Sequence, residues 1–230
     1  EERGGEGAEG RKEKPVVLAC FNRLKKLDSI TWGLWASLLS SLPSSLLWLS
    51  RLALSPQAER SLLARVHARG LPPSRVLFAS PFPSQWHLAA KSHADLFLDT
   101  PSYNGHLSAG DALWAAIPLL VLPRESLASR LSSSLAAASP GVLVARSPED
   151  YLALALALAH NHAARAAVRR RLLAERQTGE VFDTARWVRR LERALLMALD
   201  VRVSSSTWSS ESSVLSAAGT LSMHVVHVEG

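Results

Sequence analysis

A single cysteine, Cys20, stands in a chain of 230 residues. That excludes an internal disulfide framework, and the lone thiol fits a reducing compartment and a small core position better than a nucleophile. Aromatic residues make up only 6% of the chain. They form no stacking platform among the arginines between Arg165 and Arg193, so that basic run reads as the solvated face of a helical segment rather than a nucleic-acid groove. Long apolar runs are missing too. The longest, Ala112 to Leu122, is broken by Pro118 and is too short to cross a bilayer. The opening EERGGEGAEGRKEK is charged and glycine-rich, the opposite of a signal peptide's apolar core. Disorder is predicted for residues 1–14, whose hydrophobicity is too low to offset ordering entropy, and a loose serine-rich tail for 203–230. A chain that opens on Glu1 rather than methionine leaves room for a longer parent.

What is present is ordinary for a soluble globular domain: 47% hydrophobic and 20% charged residues. The net charge of +6 suits an anionic ligand, nucleic acid or an acidic surface. Six continuous apolar runs read as strands: Val16 to Asn22, Ser44 to Leu52, Arg75 to Ser80, Asp95 to Thr100, Ile117 to Pro123 and Gly141 to Ala145. Continuous rather than alternating runs are expected where helices cover both sheet faces. Amphipathic stretches separate them: Ser29 to Leu42, Pro56 to a stop at Gly70, and a helix starting near Leu107 or Ser108. The run YLALALALAH has an apparent period of two. Its Ala and Leu favour a helix, capped by Ser147 with Glu149 and Asp150 in the first turn. A last helix is predicted from Thr184 to Asp200. The alternation defines an α/β fold, a Rossmann-like doubly wound parallel sheet occupying residues 15–202.

Ligands of such sheets bind outside the carboxyl ends of the strands. Three loops on that rim have unusual content: Asn22, Arg23, Lys25 and Lys26; then Ser80 to His87; then Asp99 to Asp111. In the third, Asn104–Gly105 makes a turn before a helix whose free N–H groups and dipole offer a diphosphate site. Ser108 adds a hydroxyl donor and His106 a ring N–H, while Asp111 is placed to accept ribose hydroxyls. By spacing alone the plainer reading stays ahead, with Asp111 complementing the helix dipole and Asn104–Gly105 forming only a turn.

The blocks CFNRLKKLD, SPFPSQWH, ADLFLDTPSYNGHLSAGDALWAAIPLLVLPRESLASR and RQTGEVFDTARWVRRLERAL together resemble the protein O-GlcNAc transferase family, in order and at compatible separations. The resemblance spans Val16 to Leu199 and implies the C-terminal lobe of a two-lobed GT-B glycosyltransferase. It implies a UDP-GlcNAc donor, Ser/Thr hydroxyls of cytoplasmic or nuclear proteins as acceptors, and no metal or other cofactor. In the family a first lobe and tetratricopeptide repeats precede this segment. Residue by residue, Lys26 matches a lysine on the donor diphosphate, His87 a histidine against the uracil, His106, Leu107 and Ser108 the diphosphate turn, and Asp111 the ribose acid. Arg23 stands where a neutral amide is common, Leu107 replaces a threonine, and Ser84 and Ala90 replace basic residues; Arg23 is placed to restore charge toward phosphate. A GDP-fucose-dependent branch and a non-catalytic binding module are the rival readings. Elsewhere the histidines give no metal site: His160 and His162 are two apart on a predicted helix, His67 and His93 are isolated, and His224 and His227 fall in the tail. Trp32, Trp35 and Trp48 read as core.

Overall fold

A computed structural model describes residues 14–211. The predicted disorder at 1–13, and the tail from 212 onward with His224 and His227, lie outside the described residues. Residues up to Asp183 form one compact unit, and the helix from Thr184 belongs to a second.

The first unit is built on six strands: β1 (Val17–Cys20), β2 (Leu46–Ser50), β3 (Val76–Ala79), β4 (Leu96–Leu98), β5 (Leu119–Val121) and β6 (Val142–Val144). All pairings are parallel, in the order β3-β2-β1-β4-β5-β6. The strand order reverses between β1 and β4, so the crevice for a ligand opens between the loops that follow those two strands. Each strand is shorter than its apolar run, because the outer residues of each run turn into loops beyond the ladder.

Helices cover both faces: α1 (Ser29–Ser41), α2 (Pro56–Ala68), α3 (Ser84–Lys91), α4 (Leu107–Trp114), the short α5 (Leu131–Ser134), α6 (Pro148–His160) and α7 (His162–Thr178). Their starts are chemically marked. Asp28 accepts the Thr31 amide at 2.7 Å, Ser55 that of Ala58 at 3.1 Å and Ser147 that of Asp150 at 3.2 Å, each satisfying a helix-end donor. Gly70 follows α2 at φ +70°, a conformation that favours glycine. Trp35 and Tyr151 are fully buried, and the indole N–H donates to the phenol oxygen at 3.1 Å, joining α1 to α6. Around them Leu18, Leu47, Leu49, Leu96, Leu98 and Leu119 are sealed from solvent, each burial stabilising the fold by roughly 1.5–3 kcal/mol.

Three readings change. The arginine-rich stretch is two helices, interrupted by Gly179 and restarted at Thr184. Its face is not simply solvated, because Arg165 Nη1 donates to the Leu158 carbonyl at 2.6 Å and Arg176 Nε to that of Trp114 at 2.5 Å. His160 and His162 lie on separate helices, since Asn161 ends α6 and caps α7 by accepting the Ala164 amide at 2.9 Å. In the second unit, α8 (Thr184–Glu211) runs past Asp200 into the serine-rich stretch. A formed helix gains one hydrogen bond per added residue, against a modest serine penalty. Trp187, Leu191, Leu195 and Leu199 recur every four residues along it. Among the described residues no helix is long and apolar enough to cross a membrane.

Candidate nucleotide-sugar site

Where β1 ends, Asn22 is buried and joins three elements. Its Nδ2 donates to Asp99 Oδ1 at 2.8 Å and to Thr100 Oγ1 at 2.7 Å, and its Oδ1 accepts the Ser108 hydroxyl. Asp99 Oδ1 also accepts the Thr100 and Gly105 amides, each at 2.8 Å. The loop after β4 is thus wound around one carboxylate oxygen. Burial pushes the Asp99 carboxyl above the ordinary aspartate range, against the pull of the surrounding donors. Its Oδ2 takes no hydrogen bond among the described residues, and the Ser132 hydroxyl beside it donates at 2.9 Å to the Gly105 carbonyl. A Cβ on Gly105 would lie 2.6 Å from Ser108 Oγ and 2.7 Å from Asn22 Oδ1, so only glycine fits that corner.

Asn104 is locked from both sides. Its side chain donates to the Thr100 carbonyl at 3.1 Å and accepts the Ser132 amide at 3.1 Å, while its own amide donates to the Ala128 carbonyl at 2.8 Å. That leaves the Asn104 carbonyl to receive Lys26 Nζ at 2.7 Å. Lys26 closes the 3-10 turn Leu24–Lys26 after β1, and its ammonium lies 4.1 Å from the centre of the Tyr103 ring. Tyr103 in turn stacks on His106, with ring centres 5.4 Å apart and planes 17° apart. Burial lowers the Lys26 pKa below that of an ordinary lysine, partly opposed by the Asp99 charge. Beyond His106 the amides of Leu107, Ser108 and Ala109 head α4 without an acceptor among the described residues. A lysine ammonium and a helix N-terminus therefore sit on either side of one turn, both positive toward the rim.

A second cluster lies further along α4. Asp111 Oδ2 accepts Lys91 Nζ at 2.6 Å and is 3.1 Å from His87 Nε2. His87 and Lys91 stand one turn apart on α3, and both reach a cavity of about 70 Å³ walled by Phe21, Trp48 and Phe82. A larger groove of about 450 Å³ lies beside Lys25, Leu54 and Arg65, and none of the expected site residues line it.

The loops predicted to meet do meet, but several side chains take other partners. The Ser108 hydroxyl is turned inward to Asn22, whose Oδ1 has no other donor among the described residues, so Ser108 leaves only its backbone N–H at the helix start. His87 is directed at Asp111. Leu107 is 86% exposed and offers its amide alone. His106 and Arg23 are exposed, and the Arg23 guanidinium has no hydrogen-bond partner among the described residues. Trp48 is a cavity wall rather than full core, since β2 alternates and turns it to the half-buried face. Ala90 brings no charge to α3. Lys91 does, and it was missed; its i, i+4 spacing from His87 was the available signal. Among the described residues no three His, Cys, Asp or Glu side chains gather as a metal-ligand group.

This sheet order is Rossmann-like, as in the C-terminal lobe of a GT-B glycosyltransferase. Residues 8–191 match glycosyl transferase family 41, and the chain belongs to that family. It is 36% identical over 188 residues to the Arabidopsis thaliana protein described as a probable UDP-N-acetylglucosamine–peptide N-acetylglucosaminyltransferase SEC, covering 80% of this chain and 19% of that one. With the Caenorhabditis elegans UDP-N-acetylglucosamine–peptide N-acetylglucosaminyltransferase it shares 34% identity over 181 residues, covering 78% and 16%. Among solved structures, a mutant of the Thermobaculum terrenum O-GlcNAc transferase superposes with a TM-score of 0.70 at 30% identity, over 79% of this chain and 36% of that one. Anabaena HepE in complex with UDP-glucose shares the fold, with a TM-score of 0.54 at 14% identity over 78% and 49%. The chain thus spans under a fifth of the length of the two sequence relatives.

Proposed function

We propose that this chain is the donor-binding lobe of an enzyme that moves N-acetylglucosamine from UDP-GlcNAc to serine or threonine hydroxyls of cytoplasmic or nuclear proteins. The observation that carries the reading is the placement of the Lys26 ammonium against the Asn104–Gly105 turn that opens α4. In the transfer, the bond from the sugar C1 to the β-phosphate oxygen breaks, and a bond from C1 to the acceptor oxygen forms. The acceptor's hydroxyl proton is released to water, and UDP leaves with the electron pair of the broken bond as added negative charge. Lys26 and the α4 amides meet that charge as it grows, stabilising the transition state more than the ground state. Arg23 adds a guanidinium at the edge of the diphosphate, and no metal is assigned a part. His87 and the Phe21–Trp48–Phe82 cavity take the uracil, and Asp111 takes the ribose diol. A first catalytic lobe and tetratricopeptide repeats in a longer parent complete the enzyme and bring the acceptor.

Calorimetric titration of the 230-residue chain with UDP, GDP and ADP tests the reading. UDP is expected to bind at least about tenfold tighter than either purine nucleotide, a difference of roughly 1.4 kcal/mol. A preference for GDP moves the assignment to the fucose branch. Binding of none of the three leaves only a scaffold.

A further inference from the structure

Lys91 borders the cavity assigned to the uracil but has no role of its own in the reading above, yet it is among the most enclosed charged side chains of the lobe. It is only 5% exposed. Lysines are rarely buried, because removing an ammonium from water costs several kcal/mol unless partners offset it. Here the partners are Asp111 Oδ2 at 2.6 Å and the face of Phe21, whose ring centre lies 5.2 Å from Nζ. His87 Nε2 reaches the same oxygen at 3.1 Å. Two groups on α3 therefore converge on one oxygen of a carboxylate on α4. Asp111 is one-third exposed, and no hydrogen bond is made to its Oδ1 among the described residues.

A carboxylate held by one oxygen has a fixed rotamer, and its other oxygen points one way. We propose that Lys91 is a positioning residue that gives this lobe its preference for ribonucleotides: by holding Asp111 Oδ2, it aims Oδ1 at the vicinal diol of the bound ribose. The proposal rests on the assignment of Asp111 to the ribose. It makes Lys91 act through Asp111 and not on the nucleotide itself. Without Lys91, the His87 contact alone holds the carboxylate, which then samples other rotamers at some cost in order. Discrimination against a nucleotide lacking the diol should fall with it.

The test is titration of the 230-residue chain with UDP and with 2′,3′-dideoxy-UDP, in the unaltered form and in Lys91→Met, Asp111→Asn and the double variant. The unaltered chain is expected to prefer UDP by roughly 10–100-fold, the range for a lost charge-assisted hydrogen bond. Lys91→Met should bring that preference to within about threefold, because any loss from the cavity wall falls on both ligands and the loss of the diol contact falls on UDP alone. The double variant should bind UDP no more weakly than Asp111→Asn, because the two residues act as one unit. Lys91→Gln, which is uncharged and one atom too short to reach Asp111 Oδ2 as the ammonium does, should behave as Lys91→Met and serves if the methionine variant does not fold. Equal weakening of both ligands would show a role in folding only, and an undiminished preference in Lys91→Met would show no role; either overturns the proposal. If the unaltered chain binds UDP and its dideoxy analogue equally, the proposal falls while nucleotide binding stands. If it binds neither, the functional reading falls and the proposal falls with it.

Discussion

Lys26→Ala, made in a two-lobed transferase that carries this segment as its second lobe, is expected to lower kcat by roughly 10²–10³-fold, the range for one preorganised electrostatic contact. The ammonium is already aimed, held at 2.7 Å by the Asn104 carbonyl and lying 4.1 Å from the Tyr103 ring centre. It therefore needs little reorganisation when charge builds on the departing diphosphate. KM for the donor should change less than kcat, because the contact strengthens along the reaction. Lys26→Arg should recover only part of the rate, since a planar fork cannot place its charge at the same point. Lys25→Ala is the internal control. Lys25 is exposed and lines the groove on the other side of the turn. Initial rates of labelled-sugar transfer to a serine-containing peptide, at saturating donor, give the comparison. The pH profile adds a second readout. Burial lowers the Lys26 pKa, so activity that needs the ammonium is lost on the alkaline side at a lower pH than a free lysine would allow.

Asp99→Ala is expected to destabilise the lobe by about 3–5 kcal/mol, because it strands the buried donors of Asn22, Thr100 and Gly105 together. Asp99→Asn should cost no more than about 1 kcal/mol. Its amide oxygen replaces Oδ1, and its nitrogen takes the place of Oδ2, which accepts no hydrogen bond now. The Ser132 hydroxyl, which donates to Gly105, can accept from that nitrogen. Burial raises the Asp99 pKa, so the folded lobe holds this proton more tightly than the unfolded chain does. The contribution of Asp99 to stability is then greatest at low pH, and it falls as pH rises from the ordinary aspartate range through the raised value. Urea unfolding across that range should show this slope in the unaltered chain and lack it in Asp99→Asn.

The parallel sheet was legible because its strands are buried on both faces. Runs such as Leu96–Leu98 and Leu119–Val121 carry no polar residue to blur them. Helix starts were legible where a side chain caps them, as at Ser147, and the rim followed from strand direction alone. What the rim's side chains touch was not legible. Ser108 turns inward only because Asn22 arrives from a strand 86 positions earlier with an oxygen to satisfy. Lys91 required knowing that Ser84–Lys91 is helical, and the Ser-Pro-Phe-Pro sequence before it reads as loop. Trp48 looked like core because an apolar run does not say which face of an alternating strand is covered. The restart at Thr184 was legible, but the arginines on either side of it share one spacing, so the non-helical residues 179–183 between them did not stand out.

Amide hydrogen exchange with and without saturating UDP tests the central claim, that the turn opening α4 and the turn carrying Lys26 bind the diphosphate together. The amides of Leu107, Ser108 and Ala109, which have no acceptor among the described residues, should slow markedly on binding, and those of residues 22–27 should slow with them. The groove beside Leu54 and Arg65 should be unaffected. Protection at that groove, with none at the start of α4 and the Lys26 turn, would contradict the account.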